Sequence, residues 1–253
     1  MPRQHDELEQ AVRKALKLMR NSGYEIKGKI EVSVDSKLPF MGYSTQSREG
    51  HIIVVSGVAL KSGSVEGLLI HEMCHIYRTE TGHLSHNHQL LNRVGKQVIA
   101  ENKMDKDYQI KIIQQAVNHV QDLYADDLAF QVFRKGGAFT PEQAHGFFLE
   151  WINDASLEEK NSKDRWQNVG IMLNNCFAIS NLARHKIPDI DNQAENAVQR
   201  FLSRVSERMR SEFAYFRNLM TNLKEDVTRE QFEKALTEYL TRITRLAKQR
   251  TEH

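Results

Sequence analysis

Residues 68–83 read LLIHEMCHIYRTETGH, and within them His71-Glu72-Met73-Cys74-His75 places two histidines four apart with a glutamate directly after the first. On an α-helix four residues advance about 400°, so the imidazoles of His71 and His75 leave nearly the same face one turn apart and can reach one ion. Glu72 is placed to reach a water beside that ion without binding the ion itself. The chemistry such a set serves is hydrolysis: zinc acidifies water, and Glu72 takes the proton as general base and passes it to the leaving amine. The pattern alone is short enough to arise by chance, so its surroundings decide. Leu68, Leu69, Ile70, Met73 and Ile76 make the helix largely buried. Two imidazoles and a carboxylate are costly there unless they have partners. Cys74, inside the motif, reads as a small core residue.

A catalytic zinc usually takes three protein ligands, and the motif supplies two. Three stretches offer a third. The nearest is His83 with His86 and His88. The metzincin spacing is excluded, because the places for its glycine and third histidine hold Arg78 and Thr81. "GHLSHNHQLLNRV" resembles the third-ligand region of the SprT-like proteases, in which a histidine precedes a helix carrying an Asn-Arg pair, here Asn92-Arg93. That resemblance implies His83 as ligand and a protease acting on proteins near DNA, although the proline-containing segment that usually follows the histidine is absent.

The second stretch is "NHVQDLYADDLAFQVF", residues 118–133. Asp122-Leu123-Tyr124-Ala125-Asp126 resembles the E-x-x-A-D signature of gluzincin peptidases of the HtpX type, which also carry H-E-x-x-H upstream. The resemblance covers residues 64–80 and 118–133. It implies that Asp122 binds the metal and that Asp126 orients a ligand histidine from behind. Aspartate stands where that family has glutamate, so the helix must come closer to the ion. Eight of the eleven residues from Leu123 to Phe133 are hydrophobic. A helix apolar on several sides is interior, where acids need a charge partner. The third candidate is His119, three residues before Asp122, as a pocket-lining residue or simply a core histidine.

These residues must be positioned by the elements around them. Apolar spacing predicts an amphipathic helix over 4–21, stopped by Asn21-Ser22-Gly23. Alternation in "KIEVSVD" predicts a strand at 29–35, with a weaker one at 39–44 and a buried one at 51–57. Ser62, Gly63 and Ser64 are placed to cap the motif helix, and Gly82 to end it. Helices are predicted beyond it at about 86–100, 107–134, 140–154, 164–184, 192–222 and 228–249. Thr140-Pro141-Glu142-Gln143 and Thr228-Arg229-Glu230-Gln231 have the order of helix starts. "GG" at 136–137 and "IPDID" at 187–191 read as linkers.

The expected fold is therefore α+β and mostly helical: a zincin-like core with a small N-terminal sheet and an active-site helix, followed by a helical remainder. The expected division is a core over 1–135 and a helical region over 136–253, packed on it or continuous with it. The 253 residues include only two cysteines, Cys74 and Cys176, which excludes a disulfide framework and fits a reducing compartment. The net charge of +2 gives no argument for a nucleic-acid or membrane partner. The expectation is a cytoplasmic zinc metallopeptidase whose partner is a peptide or protein substrate. The rival of another class is a helical protein whose metal site is structural or vestigial, in which Glu72 would have no purpose.

Overall fold

A computed structural model describes residues 2–61, 65–137 and 139–249, with the side chains of the first helix from residue 6 onward. The chain is mostly helical with one small mixed sheet near its start. It divides into two compact units. The first runs to His86 and adds Tyr124–Thr140; the second takes Asn87–Leu123 and the described chain from Pro141 on. One boundary between them lies between Leu123 and Tyr124. It falls inside one uninterrupted helix, α5 (Asp107–Gly136), which contributes to both units.

In the first unit, α1 (Pro2–Asn21) leads to β1 (Lys29–Asp35), β2 (Gly42–Gln46) and β3 (Gly50–Ser56). The sheet order is β1-β3-β2, with β1 parallel and β2 antiparallel to β3. The central strand carries the continuous apolar run, and Ile53, Val54 and Val55 are buried. Val32 and Ser44 stand opposite Ile53, so all three share a face. After a short α2 (Gly57–Lys61) comes α3 (Val65–Glu80), the helix of the H-E-x-x-H motif. Its cap was expected at Ser62-Gly63-Ser64, which lies outside the described residues.

α3 packs against the sheet and α1. A Cβ on Gly42 would stand 2.7 Å from the Val54 carbonyl and 3.1 Å from Leu68, so a side chain there would push β2 off the helix. Leu69, Ile70, Met73 and Cys74 are fully buried, and the Cys74 thiol lies 3.7 Å from the sulfur of Met19 on α1. Burying a side chain of the size of Leu or Met is worth about 1.5–3 kcal/mol. The helix ends as Gly82 predicted. Gly82 has φ +69°, its N–H bonds the Thr79 carbonyl at 3.1 Å, and the His83 N–H bonds the Arg78 carbonyl at 2.9 Å. These are the two bonds of a Schellman motif, and they turn the chain back immediately before His83.

The second unit holds α4 (His88–Glu101), the first part of α5, α6 (Pro141–Leu149), α7 (Ser162–Arg184), α8 (Gln193–Leu202), α9 (Glu207–Thr221) and α10 (Arg229–Lys248). α7 is its buried centre, with Trp166, Val169, Met172, Leu173, Cys176 and Phe177 all within 1% of complete burial. Thr228 and Gln231 form the expected capping box of α10. Two expectations differ. The helix foreseen over 192–222 is two helices, because Ser206 caps a new start by accepting the Met209 N–H at 3.3 Å. The helix foreseen over 140–154 stops at Leu149. The segment after it bonds to α7: Asn175 exchanges hydrogen bonds of 2.9 and 3.0 Å with the backbone of Asn153, and Asn168 exchanges bonds of 2.8 and 2.9 Å with that of Leu157. No described helix is long and apolar enough to cross a membrane.

Candidate metal centre

The H-E-x-x-H motif is helical throughout, and its two imidazoles converge. Nε2 of His71 and Nε2 of His75 are 3.0 Å apart. Asp122 sits one turn before Asp126 on the same unbroken α5. One atom each from His71, His75 and Asp122 form a group whose members all lie within 4.8 Å of one another, the one such group of potential metal ligands among the described residues. The resemblance to gluzincins implied this trio.

The back of each imidazole is also held. Nδ1 of His71 is 2.9 Å from Oδ1 of Asp126, whose side chain is 4% exposed, whereas that of His71 is 23% exposed. The Asp126 carboxylate is placed to accept an Nδ1–H from His71, the position of an outer partner to a ligand histidine. Nδ1 of His75 is 2.7 Å from Nε2 of His86. His86 meets the Ser85 hydroxyl at 2.8 Å through Nδ1, and that hydroxyl lies 2.7 Å from Nδ1 of His83. Glu72 is buried at 6% exposure on the same helix.

Arg78 ties α3 to α5. It is 4% exposed, and its Nε and Nη2 both donate to the Tyr124 carbonyl, at 3.1 and 3.0 Å. It thus grips the α5 backbone two residues before Asp126. The guanidinium carbon also lies 5.8 Å from the Tyr124 ring centre.

The other residues singled out in the sequence fall elsewhere. His83, the alternative third ligand, lies against the Tyr124 ring with centres 4.8 Å apart and is outside the ligand group. Arg93, from the Asn-Arg pair of the SprT-like resemblance, forms a two-pronged pair with Glu233 of α10, both contacts at 2.6 Å. His119 belongs to the core of the second unit. It is 1% exposed and stacks on Phe177 at 4.9 Å and 15°. Burial lowers its pKa from 6.5 to about 4, although Asp122 and Asn174 oppose the shift. Cys74 is a core residue, its thiol pushed up by burial and then by Asp126.

Sequence reasoning missed Arg78, and it named His86 in the cluster around His83 without foreseeing its place behind His75. For Arg78 a signal existed: a cation one turn after His75 on a largely apolar helix needs a buried acceptor. The direction of His86 was not legible, because it lies in a 3-10 turn (Leu84–His86) where no periodicity tells inward from outward.

The geometry raises the question of relatives. The chain belongs to a family of unknown function, DUF5781. The match spans residues 11–245, so it takes in both units and every residue of the centre. No curated protein and no solved structure matches the chain. The family thus carries no chemistry to this site, and the test is whether the residues themselves suit zinc. Two imidazoles and a carboxylate are the donor set of many catalytic zinc sites. Ligand atoms around a tetrahedral zinc stand about 3.3 Å apart, from bonds of about 2.0–2.1 Å. The two Nε2 atoms already stand near that spacing, and both Nδ1 atoms have the outer partners that ligand histidines need. The donor set fits.

Proposed function

We propose that this protein is a zinc-dependent peptidase of gluzincin type, with His71, His75 and Asp122 as ligands, Glu72 as general base and Asp126 as the support of His71. The carrying observation is the 3.0 Å approach of the two Nε2 atoms beside the Asp122 carboxylate, with each ring held from behind. A purely structural site would not need Glu72 within the motif.

Zinc, when bound, supplies the Lewis acidity that acidifies a water and polarises a substrate carbonyl. The chain supplies the remainder. Asp126 and His86 orient the two imidazoles, and Arg78 grips the α5 backbone two residues before Asp126. Glu72 accepts the water's proton as the oxygen attacks the peptide carbonyl, then delivers it to the amine as the C–N bond breaks. Burial keeps that carboxylate in a restricted position where little bulk water competes for the proton.

The test is zinc content of the purified full chain. The wild type should carry one zinc per chain and Asp122→Ala none, with unchanged far-UV circular dichroism. Glu72→Gln should keep its zinc while peptide hydrolysis falls by about 10²–10⁴-fold, the usual weight of a general base. Stoichiometric zinc in folded Asp122→Ala would sink the ligand assignment. Its loss in His83→Ala instead would move the third ligand to His83. Absence of hydrolysis by the zinc-loaded wild type across a broad peptide library would favour a structural or vestigial site.

A further inference from the structure

Between α6 and α7 the chain from Ile152 to Lys160 is neither helix nor strand, and it is held by its backbone. Two asparagines of α7 grip it. Asn175 accepts the Asn153 N–H at 2.9 Å and donates to the Asn153 carbonyl at 3.0 Å. Asn168 does the same to Leu157, at 2.8 and 2.9 Å, and its NH₂ group also reaches Glu159 at 3.2 Å. A carboxamide carries an acceptor beside a donor, so it matches the N–H and C=O of one residue and reads no side chain. Two arginines add a charge. Nε of Arg200, on α8, donates to the Asp154 carboxylate at 2.7 Å, and Arg204 just beyond α8 donates to the Asp154 carbonyl at 3.3 Å.

The strap and the bed beneath it differ in burial. Asn168, Asn175 and Phe177 are 1%, 0% and 1% exposed. None of the residues from Trp151 to Lys160 is buried, and Leu157 is 42% exposed. The strap therefore covers α7 without embedding side chains of its own. Its ends are fixed. The Trp151 ring lies 5.0 Å from that of Phe177, and its N–H bonds the Phe148 carbonyl at 3.1 Å. At the other end Asn161 and Asp164 form the capping box that starts α7. Between these points the attachment consists of backbone bonds and a solvent-exposed ion pair, whose two side chains are 54% and 45% exposed. Segments with so few buried apolar contacts open locally, at less than the cost of global unfolding.

We propose that this face of α7 and α8 is a peptide-binding surface, filled here by the chain's own residues 153–160. Its partner is an extended polypeptide with an aspartate or glutamate directly after the first gripped residue. Main-chain bonds to Asn175 and Asn168 supply the affinity and Arg200 the selectivity, as in other sites that read an extended backbone. Every residue involved lies in the second unit, and the inference stands apart from the zinc-site reading.

The test loosens the strap and leaves the bed intact. In the full chain, Asp154→Ala with Leu157→Pro removes the ion pair and the N–H that Asn168 accepts. A fluorescein-labelled peptide INDASLEEK, the sequence of residues 152–160, is titrated against this chain and against the wild type. The loosened chain should bind it about tenfold tighter or more, because the intact strap competes at a millimolar effective concentration. Lysine in place of the peptide's aspartate should abolish binding, and Arg200→Glu in the loosened chain should restore it. A loop that merely fills space would show neither. A folded, loosened chain that does not bind the peptide overturns the proposal, and so does binding indifferent to the charge swap. Should the loosened chain not fold, hydrogen exchange of the wild type decides. The N–H groups of Asn153 and Leu157 should exchange about 100-fold faster than those of Met172 and Leu173 in the middle of α7. One common rate for all four overturns the proposal, because the strap would then open only with the whole fold. Zinc content plays no part in any of these outcomes.

Discussion

Two histidine–carboxylate pairs in this protein have the same length and opposite meanings. His71 meets Asp126 at 2.9 Å, and His145 meets Asp189 at 2.9 Å. Around Asp189 everything closes on backbone. One carboxylate oxygen accepts the Ala194 N–H and the other the Glu195 N–H, both at 2.9 Å, and the Ile190 N–H points at the same His145 nitrogen. Burial pushes the Asp189 carboxyl up, but these bonds outweigh it and hold the group below its usual range. That pair is a clamp between α6 and the first turn of α8. The His71–Asp126 pair instead opens onto a second imidazole, which opens onto a third. The pair distance does not identify a site; what the other ring nitrogen faces does.

The sharpest way to break this comparison is to delete the clamp. Asp189→Ala removes a helix cap, worth about 1 kcal/mol, and leaves a buried histidine without its acceptor, worth about 1–3 kcal/mol. The expected loss is about 3 kcal/mol by chemical denaturation with zinc content unchanged. If zinc were lost from a folded Asp189→Ala, the separation of clamp from centre would fail.

His119 is the third case, a ring buried in a core and laid on Phe177. Its folded pKa of about 4 lies below the unfolded value of 6.5. Between those values the unfolded chain binds more protons, so stability is fully present above about pH 6.5 and falls as the pH drops toward 4. From pH 7 to pH 5 the expected loss is about 2 kcal/mol, and His119→Phe should remove that part of the slope. An acid slope identical in His119→Phe would show that the ring does not control it.

How far the sequence foretold these regions depends on the range of the forces involved. β1 was readable to the residue, and α5 and α10 nearly so, because alternation, apolar spacing and the Thr228–Gln231 capping box are local. The motif and "DLYAD" were readable because a short spacing on a helix fixes a face. His119 shows the limit of that rule: at three residues from Asp122 it was placed on the same general face, and the structure lays it on Phe177 in a core. The end of α6 was hidden because Asn168 and Asn175, which bond the following segment, come later on another helix. The break before α9 had a local sign in Ser206, outweighed by apolar spacing that ran through it. His86 was hidden by a turn whose direction depends on Gly82 rather than on its own neighbours.

The comparison sharpens further at the centre. Asp126→Asn keeps an oxygen that can accept from Nδ1 of His71 and loses the charge behind it. Zinc affinity should fall by about tenfold, the lower end for an outer partner, with stability nearly unchanged. A fall no larger than that of a surface control would remove Asp126 from the centre and make His71–Asp126 a second clamp.

The smallest and most discriminating effect is on α3 itself. His51 of β3 meets Glu80 at 3.0 Å, and Glu80 ends the helix that carries His71 and His75. Glu80 also accepts the N–H of Lys27 and of Gly28, both at 2.7 Å. Burial raises its carboxyl, but those bonds and His51 prevail and hold it below the usual range. By the rule drawn from Asp189, backbone closure makes this pair structural. Glu80→Gln keeps the size and one acceptor while losing the charge, so it should cost about 1 kcal/mol and leave zinc content and affinity as they were. If affinity fell tenfold here as well, zinc binding would depend on the general integrity of α3, and the separate role given to Asp126 would lose its support.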